Sequence, residues 1–207
     1  MATQQTTQDF EVRQLLKAYR KGLISDELFE AQIKELTNGA QNGRAQYLYN
    51  GKSYATEREM ITHLLDEFRC AENFAAEYLN CWIAVSDQAC VKGGLRAVQH
   101  REAYHAQVLE ARLRELGSTP QCTVPTERRD KELAFYAGKD KTDAEKLLVV
   151  TEPLSDPAKV LRFITDVIDQ IQEDQQSKEL LRSLVQDEMS SITWAKEACA
   201  LLNPAQS

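Results

Sequence analysis

Glycine and proline are scarce in this chain of 207 residues, at 8 and 5. Sheet-rich folds place those residue types at their many turns, so the scarcity excludes an all-β protein and favours long helices. The five cysteines, Cys70, Cys81, Cys90, Cys122 and Cys199, are odd in number and contain no C-x-x-C pair. That excludes a disulfide framework and a zinc knuckle, and leaves reduced thiols in helices. Basic residues number 25 against 32 acidic ones, giving a net charge of -7 and a pI near 5.1. Neither a nucleic-acid backbone nor an anionic membrane would be attracted to such a surface. No apolar run approaches the ~20 residues of a membrane span. The polar start MATQQTTQDF also lacks a basic region followed by an apolar one, so a cytoplasmic location is expected.

What is present suits a soluble helical protein, with 43% hydrophobic and 28% charged residues, long enough for one core plus an appended element. Residues 10 to 37 read as two short helices, with Gly22 ending the first and Ser25 or Asp26 capping the second. The stretch TNGAQNGR then reads as a linker. The expected division is a helical hairpin and linker over residues 1–44, serving packing or homo-oligomerisation, and a main domain over 45–207.

Four helices follow. The first begins at Thr56, where T-E-R-E forms a capping box, and runs to about Ser86, with an apolar seam of Ile61, Leu65, Phe68, Ala75, Leu79 and Trp82. Position 72 lies in that seam and is glutamate. The second helix, capped by Ser86 or Asp87 and ended by Gly117, has the seam Leu95, Val98, Leu109, Leu113 and Leu116, with Glu102 and His105 in its middle. Residues 118 to 155 read as a long crossover with a short helix at TDAEKLLVV. Asp156 and Pro157 then open a third helix whose seam, Val160, Ile164, Val167 and Ile171, is wholly apolar. The fourth helix spans about Gln175 to Leu202, and its seam places Glu188 and Ser191 among Leu181, Leu184, Ala195, Ala198 and Leu202.

Three carboxylates and an imidazole at mid-seam would bury several charges, and an uncompensated buried ion costs several kcal/mol even after relaxation. Glu102-x-x-His105 sets both side chains on one face a turn apart, and carboxylate with imidazole suits iron or manganese. Glu72 comes level with Glu102 in an antiparallel hairpin. His63 and His100 fall off the seams and are expected in solvent, as are Glu67, Glu77 and Asp187, although Glu67 could reach an altered site. Tyr78, Tyr104 and Trp194 are expected to pack between helices or to flank a metal.

The segments AENFAAEYL around Glu72, REAYHAQVLEARLRELG around Glu102 and His105, and DEMSSITWA at Glu188 resemble the ferritin-like superfamily, which includes rubrerythrins and the demethoxyubiquinone hydroxylases. The resemblance covers residues 56 to 202. It implies an antiparallel four-helix bundle with a long crossover between its second and third helices. It also implies a di-iron site built from one Glu on each of two helices and a Glu-x-x-His on each of the other two. Glu72, Glu102, His105 and Glu188 match that pattern. Ser191 stands where the second histidine would be, and no carboxylate occupies the third seam, since Asp166 lies one residue off it and Glu152 and Asp156 precede or start the helix. One ion held by Glu72, Glu102, His105 and Glu188 is therefore expected more than two. A metal-free bundle, with a protonated His105 paired to glutamate, remains the alternative. The first reading implies an oxygen- or peroxide-reactive protein, supplied with electrons by another protein because a rubredoxin-like cysteine pair is missing; the second implies a structural or interaction protein.

Overall fold

The computed structural model describes Phe29 and residues 47 to 203. The chain divides into two compact units, residues 1–46 and 47–207. The helical hairpin and linker expected over residues 1 to 44 lie outside the described residues. The second unit is predominantly helical, and among the described residues no helix is long and apolar enough to cross a membrane.

It opens on an element that the helical reading did not anticipate. Strand β1 (Tyr47–Tyr49) pairs antiparallel with β2 (Lys52–Tyr54), Tyr47 opposite Tyr54. Their two-residue turn is Asn50-Gly51, with φ of 50° and 74°. A tight hairpin turn needs positive φ at both central positions, and Asn-Gly is the pair that tolerates it best. Tyr49 is buried in the core beside Met60, Ile61 and Leu64.

Helix α1 (Glu57–Val85) starts as expected at Thr56, whose hydroxyl accepts from the Glu59 amide while the Glu59 carboxylate caps back. Helix α2 (Ala89–Glu115) follows a short turn, so the two run antiparallel in close contact. Its N-cap is Gln88 and not Ser86 or Asp87. Ser86 instead ends α1, its hydroxyl donating to Asp143 Oδ2 at 2.8 Å. Gly117, at φ 71°, closes α2 with the Ser118 amide bonded back to the Leu113 carbonyl.

The crossover carries two helices. Helix α3 (Thr126–Ala137) was not foreseen, because Pro125 and a highly charged start hide a weak apolar face. It packs on α1 through Tyr136, whose ring stacks on Tyr78 at 4.5 Å and on Trp82 at 5.5 Å. Helix α4 (Asp143–Thr151) covers the segment expected to be helical and is started by a Thr142–Glu145 capping box. Asp143 also accepts from Trp82 Nε1 at 2.6 Å, and the buried Lys146 ammonium donates to the Tyr136 and Gly138 carbonyls.

The single third helix expected from Asp156 is broken at Leu161 into α5 (Pro157–Val160) and α6 (Arg162–Gln170). Leu161 is the side chain drawn into the core, one residue on from the half-buried Val160, while Ile164, Val167 and Ile171 are buried as expected. Helix α7 (Gln175–Leu202) agrees with the reading and is capped by Asp174. Thr151 Oγ1 meets Cys199 Sγ near one end of α7, and Lys178 Nζ meets the Ile171 carbonyl near the other. Helices α4 and α6 both pack on α7, and the stretch from 152 to 161 connects them.

Apolar residues form two core clusters, one around Leu64, Leu113, Ile164 and Leu181, the other around Trp82, Leu95, Tyr136 and Leu147. Close approach matters at one glycine on α2: a Cβ on Gly94 would stand 2.1 Å from the Trp194 ring, whereas Gly93 faces open space. Gly93→Ala should be neutral or slightly stabilising, since alanine is the better helix former by about 1 kcal/mol. Gly94→Ala should instead cost about 1–3 kcal/mol, because the indole must leave its packed position. Thermal melts of the two variants check the contrast, and an equal response would show that Trp194 repacks freely.

Candidate metal centre

Between the two apolar clusters lie the four polar residues that the seams marked. Glu72 comes from α1, Glu102 and His105 from adjacent turns of α2, and Glu188 from α7. Each contributes one ligand-type atom, and these four atoms all lie within 4.8 Å of one another. His105 is 0% exposed and Glu72 and Glu102 are each 5% exposed.

The hydrogen bonding within this group is incomplete in an informative way. His105 Nδ1 stands 3.3 Å from Glu188 Oε1 and 3.5 Å from Glu72 Oε2. All three atoms are nevertheless buried without a hydrogen-bond partner, because the imidazole nitrogen is aimed at neither oxygen. Orphaned buried polar atoms each cost about 1–3 kcal/mol, so three facing one point call for a common partner. Two ligands at about 2.1 Å from one ion stand roughly 3.0–3.4 Å apart between right-angle and tetrahedral geometry. The 3.3 Å separation falls in that range and the 3.5 Å one lies just above it, and the donor set of three carboxylates and one imidazole suits iron or manganese. The residues present fit a single cation.

Asp187 completes the arrangement. Its Oδ2 lies 3.2 Å from His105 Nε2, so the carboxylate holds the outer ring nitrogen as donor and leaves Nδ1 turned to the cluster. The sequence reads Asp187 as a surface charge, and its side chain is indeed half-exposed while its carboxylate reaches His105. The signal available in the sequence was its position next to Glu188, on the flank of the seam that faces α2. Arg101, one α-helical turn before His105, donates to the Asp187 carbonyl at 2.8 Å and to Ser191 Oγ at 2.9 Å. The position where a second histidine was sought thus holds a buried hydroxyl tied to a guanidinium.

Without a cation the cluster must hold protons. Burial pushes the Glu72 carboxyl well above the usual carboxylate range, helped by the Glu188 charge, and a hydrogen bond from Glu102 only partly offsets this. Burial and the neighbouring Glu72 push Glu102 higher still. For His105 burial opposes the charged form, but Glu188 and Asp187 outweigh it and raise the imidazole. All three shifts have the same sign for stability. A raised carboxyl destabilises the fold once pH passes its unfolded value, and a raised imidazole loses its contribution as pH climbs through the folded value. The metal-free protein should therefore lose stability between about pH 5 and pH 8, by at least the ~1.4 kcal/mol that one pKa unit represents. Urea denaturation in the presence of a chelator measures this, and the slope should flatten in a Glu72→Gln, Glu102→Gln variant. Asp174, lowered despite burial by its bonds to Ser177 and Arg112, acts only in the more acid range.

The other candidates lie elsewhere. His100 is exposed as expected, whereas His63 is half-buried between Tyr49, Tyr54 and Glu67. Glu67 turns to that hairpin side, with Tyr49 donating to its Oε2 at 2.7 Å, and does not join the cluster. Glu77 pairs with Arg129. In the third helical segment Asp166 pairs with Arg162 on the surface, Glu152 is exposed, and Asp156 caps α5. None supplies a fourth carboxylate. Tyr104 is 61% exposed. Comparison with family models, with curated proteins and with solved structures returns no match.

Proposed function

We propose that this chain is a ferritin-like metalloprotein that holds one iron or manganese ion between Glu72, Glu102, His105 and Glu188, and that it reacts with dioxygen or peroxide. The observation that carries this reading is the convergence of three orphaned buried atoms, Glu72 Oε2, His105 Nδ1 and Glu188 Oε1, on one point. An ion bound there supplies a redox-active Lewis acid for small oxidants. The chain's own residues do the rest. Glu72 and Glu102 release protons to become ligands, Asp187 keeps the His105 ring oriented, and the apolar clusters on either side limit water.

The ferritin-like architecture is supported by α1, α2 and α7 as three long sides and by α4, α5 and α6 as a segmented fourth, reached by the long crossover after α2. Among the described residues that segmented side brings no carboxylate to the cluster, where a second ion would need one. One ion is accordingly favoured over two. Electrons for turnover would come from a separate protein.

The Arg101–Ser191 bond favours a second reading, a metal-free bundle that acts through its surfaces. Elemental analysis of the purified protein, followed by thermal melts with Fe(II) and with Mn(II), separates the two. Bound metal and a raised melting temperature are expected. Protein that contains neither metal and gains no stability from either would overturn the metal reading.

A further inference from the structure

Among the described residues five buried side-chain polar atoms lack a hydrogen-bond partner, and three of them belong to the central cluster. The other two, Tyr54 Oη and His63 Nε2, belong to neighbouring rings, one at the end of the β-hairpin and one near the start of α1. Their rings are 5.6 Å apart between centroids. Glu67, one turn after His63 on the same face of α1, brings its Oε1 to 3.0 Å from His63 Nε2. Here too the separation is short without hydrogen-bond geometry, since the imidazole nitrogen remains unpartnered. The other oxygen of Glu67 is occupied by the Tyr49 hydroxyl at 2.7 Å, which fixes the carboxylate with Oε1 turned toward His63. The Tyr49 ring also meets the His63 ring edge-on at 5.8 Å and 66°, so the imidazole is held from two sides. Burial first, and then the charge of nearby Glu67, disfavour the Tyr54 phenolate in the absence of a cation.

We infer that Tyr54, His63 and Glu67 form a second metal site, separate from the central cluster, for a small, highly charged transition-metal ion of the ferric type. The donors are a phenol oxygen, an imidazole nitrogen and a carboxylate oxygen. Phenolate and carboxylate are hard anionic ligands that select a hard cation, and imidazole is a common ligand of iron. The 3.0 Å between Nε2 and Oε1 is the spacing of two ligands at a right angle on one ion with bonds of about 2.1 Å. Binding replaces the Tyr54 hydroxyl proton, which leaves to solvent, and transfers no electron. Tyr49 is a positioning residue: its proton stays on the bond to Glu67. The alternative partner is one water molecule bridging Tyr54 and His63, which would satisfy both atoms without any cation.

The test uses the full chain titrated with ferric nitrilotriacetate while the visible spectrum is recorded. Iron bound to a phenolate gives a charge-transfer band that carboxylate and imidazole ligands alone do not give. The wild type should develop this band at one iron per chain in addition to any iron in the central cluster. Tyr54→Phe should lose it, with unchanged far-ultraviolet circular dichroism, and His63→Gln should weaken iron binding at the band by at least tenfold. Tyr49→Phe should keep the band at weaker affinity, and Glu102→Gln with His105→Gln should keep it unchanged, which separates this site from the central one. No band in the wild type would leave the bridging water as the occupant, and a band that persists in Tyr54→Phe would assign it to another tyrosine; either result overturns the proposal.

Discussion

Replacing His105 by alanine is expected to abolish the stabilisation that Fe(II) or Mn(II) gives the protein. Binding to the folded state alone adds about 2.7 kcal/mol when the free metal exceeds its dissociation constant a hundredfold. Loss even of a residue that only orients a ligand weakens metal sites by about 10–100-fold, so loss of the imidazole itself should cost at least a hundredfold. At the same metal concentration the variant would then gain only about 0.4 kcal/mol. The substitution also removes the one cationic partner that Glu72, Glu102 and Glu188 have among the described residues. The metal-free variant should therefore unfold at lower temperature and retain more carboxyl protons at neutral pH. Thermal melts of wild type and variant, each with chelator and with metal, read both effects. Equal metal-induced shifts in the two proteins would remove His105 from the ligand set.

The second large effect lies far from that cluster. Glu57, in the first turn of α1 and 6% exposed, accepts three backbone amides of the turn between α6 and α7. The Gln172 amide donates to its Oε2 at 2.7 Å, the Asp174 amide to its Oε1 at 2.8 Å, and the Glu173 amide reaches both oxygens. These bonds join residues about 115 apart in the chain, and they fix where α7 begins against α1. Bonds to a charged group contribute about 1.5–3 kcal/mol each, and an amide left unpaired away from water costs a similar amount. Glu57→Ala should then destabilise the protein by about 4 kcal/mol, a large share of the 5–15 kcal/mol typical of a domain. Glu57→Gln keeps one acceptor oxygen and should fall between. Urea denaturation measures both, and a cost below about 1 kcal/mol for alanine would mean that the three amides are readily hydrated.

The long helices were legible because burial imposes a 3.6-residue period on them. Thr56 with Glu59, Gly117, and Asp174 before Gln175 mark ends set by local capping, and such chemistry can be read without knowing the partner helix. The same logic exposed Glu72, Glu102, His105 and Glu188, since each is a polar residue at a position the period reserves for an apolar one. The β-hairpin was not anticipated: Asn50-Gly51 is a turn signal, but the strands beside it are only three residues long and too short for alternation to stand out. Helix α3 was hidden for the opposite reason. Tyr136 is its one buried residue, and a single inward side chain makes no period.

Asp187 and Ser86 show where one-dimensional reading ends. Both have exposed-looking sequence neighbours, and each gains its role from a residue distant in the chain: His105, 82 positions away, and Asp143, 57 positions away. The break at Leu161 is of the same kind, since the core accepts Leu161 at that place although Val160 fits the uninterrupted period.

By itself, then, the sequence determined the helical class, the approximate extents of the three long helices and the four side chains that interrupt their apolar faces, because each of these follows from local capping or from the period of burial, although the start of α2 moved from Ser86 or Asp87 to Gln88. Tertiary structure decided which atoms of those side chains were left without hydrogen bonds, that Asp187 holds the imidazole, that Arg101 ties up Ser191, and that the helix expected from Asp156 breaks at Leu161. Those depend on distances between elements far apart in the chain, and such distances are set only when the helices pack.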